Sequence, residues 1–304
     1  MKRWIIFILM GFGIFAILTT LQTHTKPVIG ILQTASHPAL DLSREGFIEG
    51  LGDEFELRIQ NAEGLISQAQ IIANNFHRDP NIKAIYTIAT PATQVMIHTE
   101  SEKPIIFSAV TDPSVLGISH KQSNVTGCRD LINVKKQIDL LEKLCPKVKT
   151  LALLFNPSEV NSVILSDIMR KELKGRGLNS IDVGIYTEAD ITTAMRKACT
   201  LCDAIIAPTD NLVATTISQI VRISKEQKIP LIVSDNLLVE KGALAACGVN
   251  YYDSGKQAAA LVKNILLKGK RPSDLPISIP QNDKIIINEK TAQYLGISTK
   301  DVSL

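Results

Sequence analysis

Six short, mainly apolar runs, at residues 28–32, 84–89, 105–110, 151–155, 204–207 and 231–233, punctuate this chain, with Thr87 and Ser108 as their polar members. Continuous rather than alternating hydrophobicity suits strands covered on both faces, as in a parallel sheet flanked by helices. Between them the apolar positions recur at helical spacing. In 65–76 they are Leu65, Ile66, Ala69, Ile72, Ala73 and Phe76, and in 211–227 they are Leu212, Val213, Thr216, Ile217, Ile220, Val221 and Ser224. A further helix is expected at 134–144. Strand–helix alternation along a whole chain predicts doubly wound α/β units. Weaker strand candidates at 56–60, 181–185, 244–247 and 284–287 make too many strands for one sheet, and the series restarts near Lys147. The fold expected is therefore α/β, with two Rossmann-like lobes.

The two halves echo each other. Ala84–Met96 reads AIYTIATPATQVM and Ala204–Thr216 reads AIIAPTDNLVATT: an apolar run, a Thr/Pro cluster, then a helical pattern. In open α/β sheets ligands sit outside the carboxyl ends of the strands. Here six such ends are rich in hydroxyls, amides and carboxylates: residues 33–37, 90–94, 108–113, 156–162, 208–211 and 234–236. None of them contains lysine or arginine. Thr90 is expected to cap a helix with Pro91 in its first position. The amides of Ala92, Thr93 and Gln94 would then face the cleft at the positive end of the helix dipole, a setting for a carboxylate. Across from them stand Glu159, Asp210 and Asp235, each also suited to helix capping. Together with the Thr-Pro end they favour a zwitterion of amino-acid type, whose ammonium group a carboxylate would hold.

Composition narrows the function classes. The 304 residues carry a net charge of +3, without a basic stripe or interleaved aromatics, so no nucleic-acid partner is expected. Met1-Lys2-Arg3 followed by an uncharged apolar run from Trp4 to Leu21 reads as an export signal, with cleaved signal peptide and retained membrane anchor both open. The five cysteines are read as small buried residues or one incidental disulfide, Cys199 and Cys202 standing at the end of a helix rather than at its start. No nucleophile elbow, Walker loop or dinucleotide glycine pattern is present; Gly269-Lys270-Arg271-Pro272-Ser273 lacks the first glycine that a Walker loop needs. The five histidines are too dispersed for a metal set, and His37 is read as a loop residue near the cleft. No enzyme activity, catalytic residue, metal or cofactor is expected.

One set of motifs is distinctive as a set. It comprises Gln33-Thr34 with His37-Pro38, Gln60-Asn61-Ala62, Thr90-Pro91-Ala92, Phe107-Ser108-Ala109-Val110-Thr111-Asp112-Pro113, Asn156-Pro157-Ser158-Glu159 with Asn161-Ser162, Pro208-Thr209-Asp210-Asn211, Glu240-Lys241-Gly242-Ala243 and Tyr251-Tyr252. The set, spanning roughly residues 26–297, resembles the ABC-transporter substrate-binding family that includes tryptophan- and tyrosine-binding proteins. That resemblance implies a type I periplasmic binding protein fold, with a hinge and a central cleft closing on an amino acid of aromatic type. It implies a monomer outside the cytoplasm, in the periplasm or at the cell surface, that delivers its ligand to ABC permease and ATPase subunits. By matching position it implies ligand contacts from Thr90, Ala92, Thr93, Gln94, Asn156, Glu159, Asn161, Asp210 and Asp235, assisted by Ser36, Ser108 and Thr111. Lobe 1 is expected to hold residues 26–128 plus about 249–278, and lobe 2 residues 129–248 plus about 279–304. Tyr86, Phe107, Phe155 and Tyr251 are candidates to meet a ligand side chain, with a place in the core equally open for each. Unlike many relatives, the chain has no lipobox cysteine near residue 20. A ligand-sensing ectodomain is the alternative function, and an exported hydrolase a more remote one.

Overall fold

The computed structural model describes residues 26–117, 124–278, 284–300 and 302. The N-terminal apolar segment lies outside the described residues. Among those described, no helix is long and apolar enough to cross a membrane, no disulfide is formed and no cluster of metal-ligating side chains occurs.

The first sheet holds β1 (Val28–Gln33), β2 (Glu56–Asn61), β3 (Ile82–Ile88), β4 (Ile105–Val110) and β5 (Val125–Arg129), in the order β2-β1-β3-β4-β5 and parallel throughout. The helices between them are α1 (Pro38–Leu51), α2 (Ile66–Arg78) and α3 (Thr90–Thr99). After α4 (Val134–Leu144) the second sheet begins. It contains β6 (Thr150–Phe155), β7 (Asn179–Gly184), β8 (Ala204–Ala207), β9 (Leu231–Val233), β10 (Ala245–Gly248) and β11 (Lys284–Ile287), in the order β11-β10-β9-β8-β6-β7. Only the β10–β11 pair is antiparallel. Its helices are α5 (Val160–Gly175), α6 (Ile191–Cys199), α7 (Asn211–Thr215), α8 (Ile217–Glu226), α9 (Leu237–Glu240), α10 (Tyr251–Leu266) and α11 (Glu289–Leu295), although α10 packs elsewhere. The result is the two-lobed, doubly wound α/β architecture expected.

Burial explains which strands were easy to read. Every residue of β1, β4, β8, β9 and β10 is buried, whereas the edge strands β2 and β7 alternate between exposed and half-buried positions. Strand β5 was not anticipated. Its sequence VTGCR is short and broken by Gly127, whose missing side chain lets the Phe107 carbonyl come within 2.3 Å of where a Cβ would stand. The stretch 211–227 is two helices rather than one. Thr216 sits outside helical geometry, and its hydroxyl donates to the Leu212 carbonyl at 2.6 Å, satisfying the last turn of α7.

From β10 the chain returns to the first lobe as α10, packing on α1 and against β4 and β5. The contact is made backbone to backbone. A Cβ on Gly255 would lie 2.0 Å from the Ser43 carbonyl, and one on Gly46 would lie 2.1 Å from the Tyr252 carbonyl. Beyond α10, Ser278 runs alongside Cys128 at the edge of β5, its amide donating to the Gly127 carbonyl and its carbonyl accepting from Arg129. The chain then enters the second sheet as β11. A Gly255→Ala substitution must push the two helices apart, so it should lower stability by about 2 kcal/mol or more. Urea unfolding of this variant against Gly175→Ala, where a Cβ meets open space, checks the expectation.

Candidate functional site

Because the strands of each sheet run parallel, their carboxyl ends collect on one side, and loops from both lobes face each other there. They enclose a cavity lined by His37, Leu40, Ala89, Thr90 and Ala109 from the first lobe and by Asn161, Pro208, Thr209, Asp210, Asn211, Ala214, Asp235 and Leu238 from the second. Asp130 and Tyr251, which flank two of the passages between the lobes, complete it. The space these residues leave between them is small, about 20 Å³, room for about one water molecule.

Four of the twelve residues expected at the site line this cavity: Thr90, Asn161, Asp210 and Asp235. The helix α3 begins one residue earlier than expected. Ala89 takes the capping position in a left-handed conformation (φ 77°), and Thr90 becomes the first helical residue, its hydroxyl buried and without a partner. Ala109, at the neighbouring strand end, is also left-handed (φ 55°) and also lines the cavity. Two strained alanines side by side are a feature of functional loops. The Ala92 amide is taken by the Thr34 hydroxyl at 3.1 Å and the Thr93 amide by the Ala89 carbonyl at 3.2 Å. The Thr93 hydroxyl turns back to Thr87 and to the Ala89 carbonyl.

The other expected residues stand behind or beside the cavity. Ser108 bonds Tyr86 and Ser43 within the first lobe, and Ser36 is exposed and bonds Asp41. Thr111 donates to Asp130 at 3.0 Å. The Asn156 amide donates to Asp210 at 2.6 Å, and Glu159 accepts from the backbone amides of Asn211 and Leu212 and from the side chain of Asn211. Gln94, half-buried, follows one turn into α3. Of the four candidate aromatics only Tyr251 reaches the cavity. Tyr86 stacks on Phe47 with ring centroids 3.8 Å apart, and Phe107 and Phe155 are buried in the lobe cores.

The electrostatics of the lining are one-sided. Asp130 is fully buried between the Thr111 hydroxyl and the Tyr251 hydroxyl, both donating at 3.0 Å. Asp235 accepts from the Leu237 amide through Oδ1, and its Oδ2 is buried without a partner. Asp210 caps α7 through the Val213 amide and takes two more donors, Asn156 and Ser162. Replacing it therefore alters the loop as well as the cavity. Among the described residues no lysine or arginine lines the site. Burial raises the Asp130 carboxyl, lifts Asp235 to about 6, and raises both Asp210 and Glu159, the latter further through the nearby Asp210 charge. His37, by contrast, is lowered by burial to about 4 and is neutral near pH 7. Its Nδ1, the Thr90 hydroxyl, Asn161 Oδ1 and Asp235 Oδ2 are buried polar atoms with no partner, all on residues lining one cavity. Buried polar groups are ordinarily satisfied, so this concentration makes the cavity the candidate site.

Asp130 and Asn211 were not among the expected contacts, Tyr251 was named only as a candidate to meet a ligand side chain, and His37 was read as a loop residue near the cleft. Asp130 follows a strand end like the other acids, but β5 was not recognised, so the strand-end rule had nothing to act on. A carboxyl held above its unfolded value keeps its proton where the unfolded chain has lost it. Its contribution is present below about pH 4 and is lost as pH rises through about 6, on the order of 3 kcal/mol for Asp235. Buried His37, lowered to about 4, works the other way and adds stability as pH rises from about 4 to 6.5, so the Asp235 contribution is isolated by substitution: with Asp235→Asn the thermal midpoint of the ligand-free chain should rise more, or fall less, between about pH 4 and pH 6 than in the wild type. Calorimetry across the range reads both.

The chain is similar to several characterised proteins. It is 34% identical over 280 residues to a tyrosine-binding protein of Clostridioides difficile, covering 88% of this chain and 81% of the relative. A crystal structure of a Streptococcus pneumonia ABC domain in complex with L-Trp superposes with a TM-score of 0.86 at 29% identity, covering 91% of this chain and 96% of that one. A ligand-free, open substrate binding protein with adhesive properties from Clostridium difficile is 34% identical, covering 90% of this chain and 96% of that one, yet its TM-score is 0.67. The profile of the ABC transporter substrate binding proteins matches residues 28–304. With the two-lobed type I periplasmic binding fold and a cavity enclosed between its lobes, the chain belongs to the ABC transporter substrate-binding protein family.

Proposed function

We propose that this protein is the extracytoplasmic substrate-binding component of an ABC importer and that it carries an aromatic amino acid to permease and ATPase subunits. The observation that carries the reading is the ring of Asp130, Asp210 and Asp235 around the cavity, with Asp235 Oδ2 unpartnered and no basic side chain beside it. An α-ammonium group supplies the missing cation, and a charge-assisted bond to Asp235 is its natural contact. The ligand carboxylate sits at the Thr90 end of α3, where the hydroxyl is unpartnered and the helix dipole is positive. Ala92, Thr93, Ser108, Thr111, Asn156 and Glu159 then act by holding the loops that carry the contacts. The aromatic side chain is proposed from the tyrosine-binding and L-Trp-holding relatives. Nothing in this arrangement calls for a reaction, and the protein is proposed to bind without catalysing.

The lobes are proposed to be residues 26–128 with 249–278 and residues 129–248 with 279–304. They would open and close about the chain passages between them, as hinged binding proteins do. The apolar N-terminal segment would export the chain and either be removed or hold it at the membrane.

The test is a thermal-shift series of the full chain with the twenty amino acids, followed by calorimetric titration. Ligand that binds the folded state alone raises the midpoint. Tryptophan, tyrosine or phenylalanine should do so, and 3-indolepropionate, which keeps the carboxylate but lacks the ammonium, should not. Asp235→Asn should weaken the amino acid by about tenfold or more, roughly 1.4 kcal/mol. A shift by a sugar or an anion alone would remove the amino-acid reading.

A further inference from the structure

Residue 37 stands at the N-terminus of α1 in the first lobe, yet its ring reaches the second. Its Nε2 is 3.2 Å from Oδ1 of Asn211, the first residue of α7. The direction of this bond is set from behind. Glu159 accepts the backbone amides of Asn211 (3.2 Å) and Leu212 (3.3 Å), so its carboxylate acts as an acceptor at that place. The Asn211 side chain turns Nδ2 to the same Glu159 Oε2 that accepts the Asn211 backbone amide and the Asn161 side chain, an oxygen already surrounded by donors, and this leaves Oδ1 for the histidine. An amide oxygen can only accept, so His37 donates from Nε2. A neutral ring that carries its proton on Nε2 has a lone pair on Nδ1. That nitrogen is buried, has no partner and belongs to a residue lining the cavity.

We infer that His37 is a specificity-determining residue that latches the lobes through Asn211 and presents Nδ1 to the ligand as a hydrogen-bond acceptor, with Glu159 setting its tautomer. The inference deepens the proposed function and rests on its reading of the cavity as an amino-acid site. It assigns to this spot a ligand N–H or O–H, such as the ammonium, an indole N–H or a phenol, and excludes a ligand carboxylate there. Glu159 does not itself line the cavity; it bonds the lining residues Asn211 and Asn161 from behind and is a positioning residue. The same bond couples recognition to closure. His37 and Asn211 come from different lobes, so opening the cleft separates them and frees the tautomer that the ligand reads.

Two substitutions divide the roles. His37→Gln keeps an N–H near the Nε2 position for Asn211 and removes the acceptor at the δ position. His37→Asn keeps an acceptor at the δ position and removes the reach to Asn211. Tryptophan is the probe, titrated calorimetrically into the full chain. Each variant should weaken it by about fivefold or more. In combination with Asn211→Ala, His37→Asn should add little, because both remove the latch, whereas His37→Gln should weaken binding further. Wild-type affinity in His37→Gln overturns the acceptor role, and full additivity of His37→Asn with Asn211→Ala overturns the latch. The ring itself is read independently, and without substitution, by nitrogen NMR of histidine-labelled chain at neutral pH. A neutral ring protonated on Nε2, disturbed by Asn211→Ala, is the expected result; an imidazolium or a ring protonated on Nδ1 overturns the inference. Failure of the wild-type chain to bind tryptophan, tyrosine or phenylalanine would remove the amino-acid reading, and the NMR result would then decide on the tautomer alone.

Discussion

The backbone contact between α1 and α10 is the constraint on which the rest of the molecule depends. Gly46 and Gly255 allow the two helices to approach until carbonyl oxygens occupy the space of side chains. This brings a helix that follows the second sheet in sequence onto the face of the first. It also brings two helix beginnings together. His37 precedes α1 and Tyr251 opens α10, and both line the cavity. The packing of the lobe and the assembly of the cavity are thus one event: a change that forces these helices apart displaces a cavity-lining ring as well as a core contact.

On this frame the second lobe imposes an electrostatic demand. Asp210 and Asp235 come from strand ends of the second sheet and Asp130 from the passage out of the first, and all three are buried in one place. Burial raises all three carboxyls, which means that the ionised, closed arrangement is unfavourable unless something compensates it. Hydroxyls of Thr111, Ser162 and Tyr251 compensate in part. Asp235 Oδ2 stays without a hydrogen-bond partner. Under the proposed function, a ligand cation would offset this burial of acids and favour the arrangement in which the three carboxyls face one cavity.

Much of the fold was legible because burial on both faces writes itself as mainly apolar runs: β1, β4, β8 and β9 were read directly. Strand β5 was not, since Gly127 and its small neighbours carry the close approach of Phe107 rather than an apolar pattern. The same omission hid Asp130. The split of 211–227 into α7 and α8 was hidden because a threonine side chain bonding back to a carbonyl leaves the apolar stripe intact. The Thr90 end of α3 was legible as a helix start, but its hydroxyl proved unpartnered rather than capping, because Ala89 bends the chain one residue earlier.

By itself, the sequence determined that the chain makes two α/β lobes of mainly parallel strands and that six of their strand ends carry hydroxyl, amide and carboxylate groups and no lysine or arginine. Periodicity and residue chemistry are local, and a linear reading reaches them. Only the tertiary structure decided which of those groups meet. It set Thr90, Asn161, Asp210 and Asp235 on the cavity and turned Ser108 and Thr93 inward to bond within their own lobe. It also carried His37 across 174 positions to Asn211. The physical reason is that a hydrogen-bond partner depends on distance and direction in space. Those are fixed by helix packing and lobe closure, which no spacing along the chain encodes.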